Sequence, residues 1–89
     1  MKAIVSVTGR DKTGIIAGVS AALSACGVNI LDISQTVLQD YFAMIMLVDL
    51  SGCKVSFTDL SDKLNETGKD ICMDIRIMRE EIFDAMHRI

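Results

Sequence analysis

The sequence predicts an α+β fold: a ferredoxin-like βαββαβ sandwich with a four-stranded antiparallel sheet, two helices on one face, and a short C-terminal helix. Three observations predict it. Four short segments rich in Val, Ile and Met read as strands. Two segments with apolar residues at three- and four-residue steps read as helices, one after the first strand and one after the third. Only Gln39-Asp40 separates the second strand from the third, which makes that pair a hairpin. Two right-handed crossovers joined by a hairpin form the split βαβ arrangement, with the first and third strands central and both helices on one face.

Lys2 to Thr8 is short and β-branched, and is bounded by Gly9, so it forms the first strand. A polar loop follows, Gly9-Arg10-Asp11-Lys12-Thr13-Gly14. From Ile15 the period changes: Ile15, Ile16, Val19, Ala22, Leu23 and Cys26 mark one helix face. Thr13 is the predicted N-cap, and Gly27 stops the helix at C′. Val28 to Gln39 is the second strand, with Leu31, Ile33 and Val37 on one parity and Asp32, Ser34 and Thr36 on the other. Tyr41 to Leu50 is the third.

Ser56 caps the second helix with Asp59 three residues on. Phe57, Leu60 and Leu64 form its buried stripe, and Gly68 is expected to end it. Ile71 to Met78 alternates again, with Ile71, Met73, Ile75 and Ile77 on one face, and is the fourth strand. Glu80 to Arg88 is a short terminal helix whose apolar side is Ile82, Phe83 and Met86. Phe83 has two possible supports, its own domain or a neighbour.

The third strand is apolar on both faces: Ala43, Ile45 and Leu47 one way, Phe42, Met44, Met46 and Val48 the other. Helices on one face cover only one of these rows, whereas a half-open antiparallel sheet alternates apolar and polar. A partner subunit, the tail helix or a ligand would each cover the second row, or it stays exposed. The chain has 89 residues, 51% of them hydrophobic and none of them Trp. It is expected to be one domain, 1–89. So small a domain buries only about 60–65% of the surface its unfolded chain exposes. Hiding this much apolar side chain favours a subunit interface, so a homodimer is expected.

The net charge is −3, and no basic run is interleaved with aromatics. Neither nucleic acid nor an anionic membrane is an expected partner. No apolar stretch approaches the roughly 20 residues of a membrane helix, and no signal peptide is visible, so the default location is cytoplasmic. Cys26, Cys53 and Cys72 are odd in number and widely spaced. They read as buried or half-buried free thiols rather than a disulfide framework. His87, the only histidine, reads as a solvent-facing residue near the end of the tail helix. Zinc needs about four clustered Cys/His ligands, so no metal or cofactor is expected. Nor is an enzyme: with one histidine near the C-terminus and no ligand cluster, only carboxylates and thiols remain for an acid/base or nucleophile–base pair. Asp32 and Asp49 fall near one another across the hairpin, where each is equally well a solvated strand residue.

The chemistry concentrates in the loop before the first helix. A helix N-terminus offers unpaired N–H groups and about half a positive charge, which attract a carboxylate. Gly14 has no Cβ to hinder approach to the backbone. Asp11 is placed to accept from an ammonium group, so the set complements a zwitterion. On the pattern alone, turn and capping chemistry is the stronger account of Asp11 and Thr13. A phosphate loop is excluded because Ile15-Ile16 stand where Lys and Ser/Thr are required. The dinucleotide fingerprint G-x-G-x-x-G is absent. Asn29 opens the second strand, at the opposite end of the sheet from the loop. It is equally a turn-exit residue or, with the Ile30 backbone, a ligand contact.

Gly9-Arg10-Asp11-Lys12-Thr13-Gly14-Ile15-Ile16, then a helix, then Gly27-Val28-Asn29-Ile30-Leu31-Asp32-Ile33, resembles an ACT domain. Phe42 to Asp49 is most similar to the small stand-alone ACT proteins related to the glycine-cleavage repressor. The N-terminal domain of formyltetrahydrofolate deformylase is also similar. The likeness covers nearly the whole chain. It implies a non-catalytic regulatory module that binds an amino acid or related small metabolite at a homodimer interface. It maps ligand contacts onto Asp11, Lys12, Thr13, Gly14 and Ile15, with Asn29 and Ile30 supplied across the interface. Gly9 and Asp11 stand where serine-sensing members carry His and Asn, and Thr13 stands where proline is common. Any regulated protein is expected to be a separate partner. The alternative reading is a protein–protein adaptor with no small ligand.

Overall fold

A computed structural model describes residues 1–87. The elements are β1 (Lys2–Arg10), α1 (Ile15–Ala25), β2 (Asn29–Leu38), β3 (Tyr41–Asp49), α2 (Phe57–Ile71), β4 (Met73–Arg79) and α3 (Glu80–His87). The sheet order is β2-β3-β1-β4 with every neighbouring pair antiparallel. This is the expected ferredoxin-like βαββαβ sandwich.

One sheet face carries the core. Ala3, Val5 and Val7 of β1 alternate with outward residues, and Phe42, Met44, Met46 and Val48 do the same on β3. Met73 and Ile75 of β4 join them. Ile15, Val19 and Leu23 of α1 and Leu60 and Leu64 of α2 close this layer from above. Spacings of three and four residues keep these side chains on one stripe of each helix. At about 25 cal/mol per Å², each such Leu or Ile adds roughly 1.5–3 kcal/mol relative to exposure.

Four local expectations are corrected. β1 continues to Arg10, because Gly9 and Arg10 still pair with Phe42 and Tyr41. Thr13 does not cap α1. Gly14 holds the N-cap position at φ 84°, and no side chain caps it. The chain enters this helix through a left-handed residue, where a Cβ is disfavoured, so glycine takes the place of a side-chain cap. Gly68 does not end α2, which runs on to Ile71. A Cβ on Gly68 would lie 2.5 Å from the Met73 carbonyl oxygen, so this glycine permits close packing of helix on strand. Ile71 accordingly belongs to α2 and β4 begins at Met73, after Cys72 turns the chain at φ 57°.

The fourth correction concerns β2. A bulge falls between Ile30 and Asp32, so Leu31 has no partner on β3. Ile30 lies opposite Val48, and Ile33, Gln35 and Val37 lie opposite Met46, Met44 and Phe42. Leu31 therefore leaves the parity set in which the sequence places it, since a bulge sets two residues against one. The bulge also separates Asp32, opposite Leu47, from Asp49, opposite Asn29. Each carboxylate is used locally. Asp32 accepts from the Ile33 N–H, and Asp49 accepts from the Ser51 hydroxyl at 2.7 Å and the Ser51 N–H at 3.0 Å.

The second apolar row of β3 faces away from α1 and α2. α3 folds back against β1 and β4. Its Phe83, half-buried, borders a hollow of about 440 Å³ with Ile4, Ile45 and Met78. The tail helix thus covers part of this row, while Ile45 stays 48% exposed. Ile82 is also 48% exposed. The side chains of Met86 and His87, and all of Arg88, lie outside the described residues. Cys26 is buried and Cys53 half-buried as expected, but Cys72 is exposed, because the turn that ends α2 carries it outward. All three are free thiols.

Candidate functional site

The loop of residues 11–14 is held in place at both ends. The Asp11 N–H donates to the Asp40 carbonyl at 2.7 Å, tying the loop to the hairpin turn. The Gly18 N–H donates to the Gly14 carbonyl at 2.9 Å, closing the first turn of α1. The next amides, at Ile15, Ile16 and Ala17, have no intrahelical acceptor in a helix that begins here. No acidic residue lies in that first turn. The site therefore presents amide donors and the positive end of the helix dipole, with no carboxylate of the first turn competing for them.

Beside this helix start lies a groove of about 350 Å³. Asp11, Lys12, Gly14 and Ile15 border it, as do Ile16 and Ala17 of α1. Its other wall is the hairpin: Gln35 and Val37 from β2 and Phe42 from β3. The wall stands open because no helix of the described residues packs over β2. Of its ten residues only Ile30 is half-buried, and the rest are exposed. α2 lies along β4 with α1 beside it, which leaves the β2 side of the sheet uncovered. Asp11 and Lys12 are both exposed at the mouth, so the groove offers one charge of each sign above an apolar floor.

The structure gathers four of the seven residues singled out from the sequence. Thr13 is exposed in the same loop but does not border the groove. Asn29 lies opposite Asp49, which the register places beside Lys2, at the far end of β1 from Arg10. Eight steps of strand rise put that end about 26 Å away. Ile30 is next to it, facing the Val48 side. Within one chain the two sets do not meet. Gln35, Val37 and Phe42 were not foreseen. The signal for two of them was available: a tight turn at Gln39-Asp40 sets Val37 opposite Phe42, one step from the loop end.

Among the described residues, no group of three or more His, Cys, Asp or Glu side chains could hold a metal ion. No helix among them is long and apolar enough to cross a membrane.

Comparison with known proteins agrees with this architecture. A UPF0237 protein of Clostridium acetobutylicum is 54% identical over 89 residues, spanning the whole of both chains. A solved ACT domain protein from Streptococcus pneumoniae is 46% identical, superposes with a TM-score of 0.83, and covers 98% of each chain. A structure described as that of a glycine cleavage system transcriptional repressor shares the fold at TM-score 0.72 and 20% identity, over 86% of this chain and 44% of that one. The ACT domain family matches residues 2–78. With that match and relatives of this identity along its length, the chain belongs to the ACT domain family.

Proposed function

We propose that this chain is a non-catalytic regulatory module that binds an amino acid or a related small metabolite, working as a homodimer in the cytoplasm. The observation that carries the reading is the groove between the uncapped start of α1 and the hairpin wall. Amide donors and Lys12 suit a carboxylate, Asp11 suits an ammonium group, and Val37 and Phe42 suit an apolar stem. The exposed edge of β2 supports the dimer. Leu31, Val37 and Leu38 are 44%, 52% and 71% exposed on a strand with one unpaired edge. Antiparallel pairing of that edge with its copy carries the Asn29 end of one protomer toward the Asp11 loop of the other.

Thermal shift with free amino acids tests the ligand, and sedimentation tests the dimer. A ligand at a hundredfold excess over Kd stabilises the native state by about 2.7 kcal/mol. The shift should vanish in Asp11→Ala. Finding no shift with any amino acid would overturn the ligand reading. A second reading, a protein–protein adaptor, is favoured by the same exposed β2 side chains. A stable dimer with no ligand response would select it.

A further inference from the structure

We propose that Gln35 selects the ligand's side chain, favouring an amino acid with an apolar stem and an uncharged hydrogen-bonding tip. The proposal rests on the reading of the groove as an amino-acid site. Gln35 follows from the register rather than from the loop. At the loop end of the hairpin, Leu38 lies opposite Tyr41, followed by Val37 opposite Phe42 and, two residues further, Gln35 opposite Met44. Two strand residues advance about 7 Å. A ligand anchored by its carboxylate and ammonium at the start of α1 thus meets Val37 and Phe42 first and Gln35 beyond them.

That order prescribes the side chain. Two or three methylene-sized groups at about 1.5 Å per bond cover the apolar stretch and bring a terminal atom within hydrogen-bonding reach of Gln35. The Gln35 amide offers both a donor and an acceptor, which matches an amide or hydroxyl tip. It makes no side-chain hydrogen bond among the described residues, so no internal partner competes for it. The groove-lining residues of the hairpin carry no charge. A carboxylate or ammonium tip would meet no counter-ion on that wall, and placing an uncompensated charge against Val37 and Phe42 is unfavourable.

The test is a binding panel of the standard amino acids, by calorimetry and thermal shift, on the native protein and on Gln35→Leu, Gln35→Glu and Asp11→Ala. Gln35 is exposed, so its variants should fold, which circular dichroism checks. The native protein should bind residues with neutral polar tips most tightly. Gln35→Leu should weaken those about tenfold and improve aliphatic ligands, consistent with one neutral hydrogen bond. Gln35→Glu should move the preference toward cationic tips, and Asp11→Ala should weaken all ligands alike. If amino acids bind and Asp11→Ala weakens them while both Gln35 variants keep the native ranking, the Gln35 proposal falls and the site stands. If no amino acid binds the native protein, both fall.

Discussion

The two helix-interior glycines, Gly68 and Gly18, should respond in opposite directions to the same substitution by alanine. In a helix interior, Gly→Ala stabilises by about 1 kcal/mol through propensity. At Gly68 a new Cβ would sit 2.5 Å from the Met73 carbonyl oxygen, where real contacts stay beyond 3.0 Å. Both partners are backbone, so α2 and β4 must separate by about 0.5 Å to admit it. Leu60, Leu64 and Ile75, each at most 2% exposed, share that seam and would loosen together. Overpacking costs about 1–3 kcal/mol, and backbone against backbone puts this site at the upper end. With the propensity gain subtracted, Gly68→Ala should lose about 2 kcal/mol, or roughly 8–16 °C in Tm for a domain of this size. At Gly18 the same Cβ would meet only the Ile71 side chain, its Cγ2 at 3.4 Å and its Cδ1 at 3.7 Å, ordinary contacts. Gly18→Ala should therefore gain up to about 1 kcal/mol, or roughly 4–8 °C. Urea and thermal unfolding of both variants measure this. A neutral or stabilising Gly68→Ala would refute the close approach of α2 to β4.

Ser56 accepts from the Asp59 N–H at 3.1 Å, so Ser56→Ala should cost about 1 kcal/mol in chemical denaturation. The Ser51 hydroxyl and N–H hold the Asp49 carboxyl below its ordinary value of 3.8. Its stabilising effect is present above that unfolded value and is lost as pH falls through the lower folded value. Asp49→Asn should therefore flatten the acid limb of the stability–pH curve below about pH 4, and an unchanged limb would refute the assignment. Thiol labelling in the native state should modify Cys72 first, Cys53 more slowly and Cys26 only on unfolding, read by mass spectrometry.

Strand and helix order was legible because period-two and period-3.6 patterns are local, and the hairpin turn at Gln39-Asp40 announces itself. The αL stop at Gly27 was legible for the same reason, and the structure places it at φ 78°. Where chemistry at one position had two uses, the pattern misled. Gly68 looked like a helix stop, yet it relieves a contact with a residue in another element. Thr13 looked like a cap, yet the entry turn needed a left-handed residue and Gly14 supplied it.

The amino-acid sequence by itself determined the element order, the core stripes and the polar loop ahead of the first helix, since each depends on residues a few positions apart. Only the tertiary structure decided which surface that loop faces. α1 and α2 pack together with α2 along β4, no helix of the described residues covers β2, and Gln35, Val37 and Phe42 become the far wall of a groove that begins at Asp11. The hairpin turn sets Val37 opposite Phe42, but the open side of the sheet is decided by how the helices pack on it, through residues far apart in the chain, and that leaves no periodic trace.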